Sequence, residues 1–207
     1  MDRFFDADNP VMKALSRLVD LAVLNLVTVI LMLPVITLGA SMTAMNNVLM
    51  HLIREDESYV SRMFIRSFKD NFRQALPEGL LVLLLAAVTA ADLWLLHAMD
   101  SKTATVLMIV ITVAAGFLFA TSIYMFALQA RYENTIGGTI ANAFRLSVGN
   151  LPRTAGMMII WAVWILILWF LHGLAPLAFA LYGLTLPGYM CALLYEPVFT
   201  RLESDEE

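Results

Sequence analysis

Asp92 and His97 stand five residues apart in LLVLLLAAVTAADLWLLHAM (residues 80–99), a stretch with no other ionisable side chain. In apolar surroundings a carboxylate near an imidazole can relay protons or hold a polar solute, because each such group is costly there unless it is paired. Asp92, His97 and Asn25 are therefore read as an intramembrane polar site, with Asp92 facing an outward cavity. The alternative reading bonds Asp92 within the bundle or lets it reach the headgroups. Asn25 and the Asn46–Asn47 pair also suit hydrogen bonding across helices.

Other chemistries find little footing. The single Cys191 supports neither a disulfide framework nor a metal cluster, and His51, His97 and His172 lie far apart in the chain. There is no phosphate-binding glycine loop; Gly137–Gly138 merely opens a surface segment. No catalytic residue, metal or cofactor is expected, so the chain is not read as an enzyme.

The elements that must position these residues are helices in lipid. Of the 207 residues 60% are hydrophobic and 14% charged, and the mean hydropathy is +0.78. A soluble domain of this size lacks the polar side chains to cover such an interior. A net charge of −4 and basic residues gathered on one membrane face exclude nucleic acid as a partner.

Spans are expected over 79–99, 104–130, 155–175 and 176–196, each near the ~20 helical residues that a hydrocarbon core requires. Residues 15–54 carry little charge and are interrupted by Pro34 and Gly39 in MLPVITLGAS. They read as a helical hairpin turning at Pro34–Gly39, after an N-terminal arm over 1–14. This gives an all-α, six-span bundle forming a single membrane domain. The five-span alternative has one span followed by a surface helix, with 40–54 not crossing.

Basic residues favour six. Three lie in the N-terminal segment (Arg3, Lys13, Arg17), five in 54–79, three in 131–154 and one is Arg201; only Lys102 falls opposite. Positive charge stays cytoplasmic, so both termini are expected inside a bacterial cell membrane, with no cleaved signal peptide.

In SRMFIRSFKDNFRQALPEG (residues 61–79), Val60, Phe64, Phe68 and Phe72 recur every four residues, with Arg62, Arg66, Lys69 and Arg73 opposite. The pattern predicts a basic amphipathic helix over 59–73, its Phe face in the acyl region or against the bundle. A second such helix is predicted over 136–150. Shifting by 80 residues lays Val60, Phe64 and Phe68 on Ile140, Phe144 and Val148, and Arg73 on Arg153. An internal parallel repeat is thus expected, a transporter-like feature. Phe144, Arg145 and Arg153 join the first helix's basic and aromatic residues as candidate lipid or partner contacts. Glu133 and Glu196 are placed to pair with Arg131 or Arg201. The small residues of GASMTAM suit close helix approach, and the end, 197–207, reads as a solvated acidic tail.

LNLVTVILMLPVITLGASMTAM, FIRSFKDNFRQA, ARYENT, NLPRT and YEPVF together resemble the YesL-like family of bacterial membrane proteins. The LP-x-x-T-x-GAS turn (Leu33–Ser41) and F-x-x-SFK-x-NF (from Phe64 to Phe72) carry most of that resemblance. Where such proteins commonly have an aromatic after the LNL step, this chain has Val27–Thr28. The family has no established activity. Its members are often encoded beside carbohydrate ABC importers and glycosidases, which implies a link to sugar uptake. The expected function is a non-enzymatic accessory or regulatory membrane component of carbohydrate uptake, touching membrane lipids and importer subunits. The alternative is a small solute transporter.

Overall fold

The structure, a computed structural model, describes residues 10–54, 59–99 and 101–206. Most of the N-terminal arm, Arg3 included, lies outside the described residues. Among the described residues there are eight α-helices, two short 3₁₀ turns and no strand. Four helices are long and apolar enough to cross a membrane, and a fifth crossing is available if a bent pair counts as one. The molecule is an all-helical membrane protein.

Helix α1 (Pro10–Met32) and α2 (Leu38–Ile53) form the hairpin expected at Pro34. Proline offers no N–H, and the chain turns through a 3₁₀ step, Val35–Thr37. Thr37 satisfies the turn by donating its hydroxyl to the carbonyls of Leu31 and Pro34. Arg17 donates to the Leu52 carbonyl, so the start of α1 meets the end of α2. At 16 residues α2 is only about 24 Å long. It is the most enclosed helix, with 11 of its residues buried.

The largest departure from expectation is α3 (Val60–His97). The amphipathic segment 59–73 and the span 79–99 are one uninterrupted helix of 38 residues, about 57 Å long. Pro77 lies inside it without ending it. A proline there removes one N–H and crowds the Arg73 carbonyl one turn back, so packing on the neighbouring helices must hold the helix through it. The long helix returns through α4 (Lys102–Arg131), which matches the fourth predicted crossing, over 104–130.

The second copy behaves differently. Helix α5 (Ile136–Gly149) ends at Asn150, and α6 (Leu151–Phe170) starts anew with a proline in its first turn. Under the 80-residue shift, Asn150 and Pro152 correspond to Asp70 and Phe72, where nothing removes an N–H. The buried faces differ too. Val60 and Phe64 are buried in α3, whereas α5 buries Thr139, Ala143 and Ser147 and exposes Phe144 and Val148. Small residues let α5 lie close to α4, where Thr121 and Ser147 hydroxyls meet at 3.2 Å.

The last predicted span is broken. A 3₁₀ turn, His172–Leu174, leads into α7 (Ala175–Tyr182), then α8 (Thr185–Glu206) departs at 54°. Helix α8 runs through Pro197 to Glu206, so the predicted acidic tail is the helix's last turns.

Candidate functional site

Three groupings of polar side chains deserve comparison as sites: the basic face of α3, the ion network at the ends of α2 and α4, and the break between α7 and α8. On α3 the Phe stripe turns inward. Phe64 is fully buried, and Phe64, Phe68 and Phe72 stack in sequence with centroids 6.3 and 5.5 Å apart. Asn47 of α2 donates to the Ser67 hydroxyl at 3.0 Å, tying the two helices, and within α3 Asn71 donates to the Ser67 carbonyl. Arg62, Arg66, Lys69 and Arg73 remain exposed on the opposite face. A polar cleft of about 540 Å³ opens beside them, lined by Asn47, His51, Arg62, Arg66 and Asn71. The bundle, rather than lipid, thus takes the aromatic side of this segment.

The ion network gathers the ends of α2, α4 and α8. Arg131 bonds Glu196 at 3.0 Å and grips Glu203 with two nitrogens at 2.8 and 2.6 Å. Arg54 holds the other oxygen of Glu196 at 2.7 Å. Tyr132 donates its hydroxyl to Glu203 at 3.0 Å. Burial, followed by that bond, pushes the Tyr132 phenol up to about 12, with Arg131 opposing. Glu196 pairs with Arg131 as expected. Glu203, read from sequence as part of a solvated tail, is instead the network's second carboxylate, and only its spacing of seven residues from Glu196 hinted at a shared face. These bonds close the helix ends together.

At the break, Asn25 is fully buried and does the work of two caps. Its amide donates to the carbonyls of Phe179 and Ala180 at 2.9 and 2.8 Å, at the end of α7. Its carbonyl accepts from the Leu184 and Thr185 N–H groups at 2.8 and 3.1 Å, at the start of α8. Trp164 adds a bond to the Gly183 carbonyl at 3.0 Å, and the Thr185 hydroxyl donates to the Leu21 carbonyl at 2.9 Å. Helix ends in an apolar setting need such partners. Farther along α8, Tyr195 donates to Asn46 at 2.8 Å inside the core.

The candidate intramembrane trio is not brought together. Asn25 bonds α7 and α8 as above, and no hydrogen bond among the described residues joins it to Asp92 or His97. Asp92 is half-buried and His97 exposed. The apolar groove between α3 and α4, about 340 Å³, is lined by their neighbours Thr89, Ala90 and Leu93. Phe144 and Arg145 are exposed and Arg153 half-buried at the start of α6. Among the described residues no group of three His, Cys, Asp or Glu side chains is arranged to hold a metal.

Residues 21–93 match a family described as "Protein of unknown function, DUF624", a domain that YesL-like proteins carry. The match begins midway along α1, takes in α2 and ends near the C-terminal end of α3, so it covers most of the hairpin and the long helix packed on it. No curated protein and no solved structure matches the chain.

Proposed function

We propose that this protein is a non-enzymatic membrane component that works through its cytoplasmic face, as an accessory or regulator of carbohydrate uptake in a bacterial cell membrane. The observation that carries this reading is the exposed basic face of α3, on a helix continuous with a span and braced by buried Phe64. A partner that pushes on Arg62, Arg66, Lys69 or Arg73 acts on a rigid lever rather than on a helix floating at the headgroups. The importer as partner rests on the YesL-like resemblance alone.

The topology that goes with it has six crossings: α1, α2, α3, α4, α6 and the α7–α8 pair. Its supports are the single-sided distribution of basic residues and the contact of Arg17 with Leu52, which makes α2 retrace the depth of α1. Both termini are then cytoplasmic and Lys102 faces out. Single-cysteine labelling in a Cys191→Ala background tests this, and an N-terminus labelled from outside removes it. The parallel repeat is retained only as a common ancestry of α3 and α5, since the two differ in continuity and buried face.

The decisive experiment replaces Arg62, Arg66 and Lys69 by Gln and, separately, by Glu, and recovers partners from native membranes. Reversal also weakens contact with anionic lipid by about 1 kcal/mol per charge, so insertion is measured in parallel. Loss of the importer subunits from a normally inserted Gln variant is the expected result. Retention of every partner reduces the basic face to an anchor.

A second reading, solute transport, has its own observation: a span broken at α7–α8 and lined by Asn25, Trp164 and Thr185, the kind of discontinuity that transporters build sites on. It calls for solute flux by the purified protein in vesicles, lost in Trp164→Phe with folded yield unchanged.

A further inference from the structure

Glu78 takes no part in the arrangements above. It is fully buried, and neither carboxyl oxygen has a hydrogen-bond partner. Its place is the tightest helix crossing in the fold. A Cβ on Gly39 would lie 1.9 Å from the Ala75 carbonyl oxygen, and one on Gly79 would lie 2.5 Å from the Gly39 nitrogen. Glu78 adjoins Gly79 and continues the buried stripe of Val60, Phe64, Ser67 and Ala75, so it points into the seam between α2 and α3. On α2, Thr43 lies one turn beyond Gly39 on the same face, and its hydroxyl is likewise buried without a partner. Two oxygen-bearing side chains lacking partners, Glu78 and Thr43, thus lie at one crossing.

No cation on the elements packed against α3 is placed to balance a carboxylate there. Helix α2 carries one titratable side chain, His51, twelve residues from Gly39 and about 18 Å along the helix. The 3₁₀ turn Val35–Thr37 carries none. Lys13, Arg17 and Asp20 belong to the first turns of α1, at the level of Leu52. Helix α4 contributes Lys102 and Arg131 at its two ends and the phenol of Tyr124 between. On α3 itself Arg73 is exposed, five residues away. A buried carboxylate without a counter-ion costs several kcal/mol, whereas the neutral acid costs far less and can donate to a hydroxyl.

We infer that Glu78 is a proton-binding site in the α2–α3 seam, neutral while Gly39 and Gly79 are in contact and ionised only when the seam opens to water. The closed state then holds one proton that the open state lacks. Raising the pH favours opening, about tenfold in the open-to-closed ratio per pH unit once the open state is ionised. The proton is the ligand, and it leaves to water.

The test uses the full-length protein in lipid vesicles. Infrared spectra at neutral pH are expected to show the carbonyl stretch of a protonated carboxyl, absent from Glu78→Gln. A wild-type spectrum without that band overturns the proposal. Should Glu78→Gln fail to fold, carbon-13 glutamate labelling of the wild type takes its place, and a band that does not shift with the label is equally fatal. Opening is read separately from maleimide reaction at Thr43→Cys in a Cys191→Ala background. Thiol ionisation alone raises that rate about tenfold per pH unit. With Glu78 present the rise is expected to be about a further tenfold per unit, and in the Glu78→Gln background the thiol slope alone. Equal slopes in the two backgrounds overturn the coupling.

Discussion

Up to Gly79, α3 buries Val60, Phe64, Ser67, Ala75 and Glu78 against its neighbours; beyond Gly79 the same helix buries nothing. Its partner α4 mirrors this: Ala104 apart, its buried residues run from Ala120 to Gln129. The inner half, centred on α2, is a packed protein interior tied by hydrogen bonds and ion pairs between helices, with Glu78 and Thr43 among the exceptions. The outer hairpin presents Leu84, Val88, Trp94, Val106, Ile109 and Val113 outward. Lipid tails are as apolar as those side chains, so helices gain little hydrophobic energy there by leaving lipid for each other. Specific packing and hydrogen bonds must hold the inner half, while the outer half is held by the requirement to stay in lipid.

Glycine replacement offers the sharpest way to break that contrast. Gly39→Ala places a methyl group 1.9 Å from a backbone oxygen that has no rotamer to escape by. It is expected to cost about 3 kcal/mol, the upper end for overpacking, read as a lost folded yield or a lowered Tm in detergent. Gly116→Ala in the outer hairpin meets only the flexible end of Met158 at 3.5 Å. There a gain of up to about 1 kcal/mol is expected from helix propensity. Similar losses at the two sites would abolish the division.

A smaller effect separates the two buried or half-buried polar residues of the sequence-derived trio. Asn25→Leu leaves carbonyls of α7 and N–H groups of α8 without their partner, and about 2 kcal/mol is expected to be lost. Asp92→Asn, with no partner among the described residues, is expected to leave thermal stability unchanged. Thermal unfolding of both variants in the same lipid checks the pair.

Which parts of this were legible in the sequence follows the same division. The hairpin at Pro34, the crossing over 104–130 and the separate helix beginning at Ile136 all carried local signals: a proline–glycine turn, a charge-free run, a cap before glycines. The fusion of 59–73 with 79–99 did not. Leu76–Pro77–Glu78–Gly79 has the composition of a turn, yet packing on α2 through Gly39 and Gly79 keeps it helical. The same misreading hid Glu78, taken as part of a connection. The α7–α8 break was marked by Gly183 and Pro187, but a continuous apolar run outweighed them. Asn25 read correctly as a bond across helices, although its partners are backbone groups of a break that sequence did not place. For α5 the stripe Ile140, Phe144 and Val148 was visible, but a period cannot say whether large or small residues meet the neighbour. Here the small ones do.

Arg131→Gln sharpens the comparison further, since the ion network is the inner half's tie between α2, α4 and α8. The change removes the double grip on Glu203 and one bond to Glu196, which keeps Arg54. The expected cost is about 1 kcal/mol, because the remaining pair still neutralises Glu196 and Glu203 is partly exposed. Rising salt should reduce the difference from wild type. A salt-independent loss of similar size would mean that the side chain acts through its packing on Phe199, over which the guanidinium lies at 5.5 Å.

The smallest effect is the alkaline one. Tyr132 lies just past α4, with its hydroxyl on Glu203. Burial first, and then that bond, hold its phenol up to about 12, against about 10 for an unfolded tyrosine. The folded state therefore favours the neutral phenol. The stability this contributes is fully present below about pH 10 and is lost as pH rises through about 12, when a phenolate would face the Glu203 carboxylate. Tyr132→Phe removes both the bond and the titration. In the variant, Tm should start a little lower at neutral pH and fall less steeply over that alkaline window, so that the two curves converge. Other buried tyrosines titrate in both proteins and cancel in the difference. Parallel curves throughout would show that Tyr132 packs against the network without its hydroxyl contributing, leaving the arginine–carboxylate bonds alone to tie the inner helix ends.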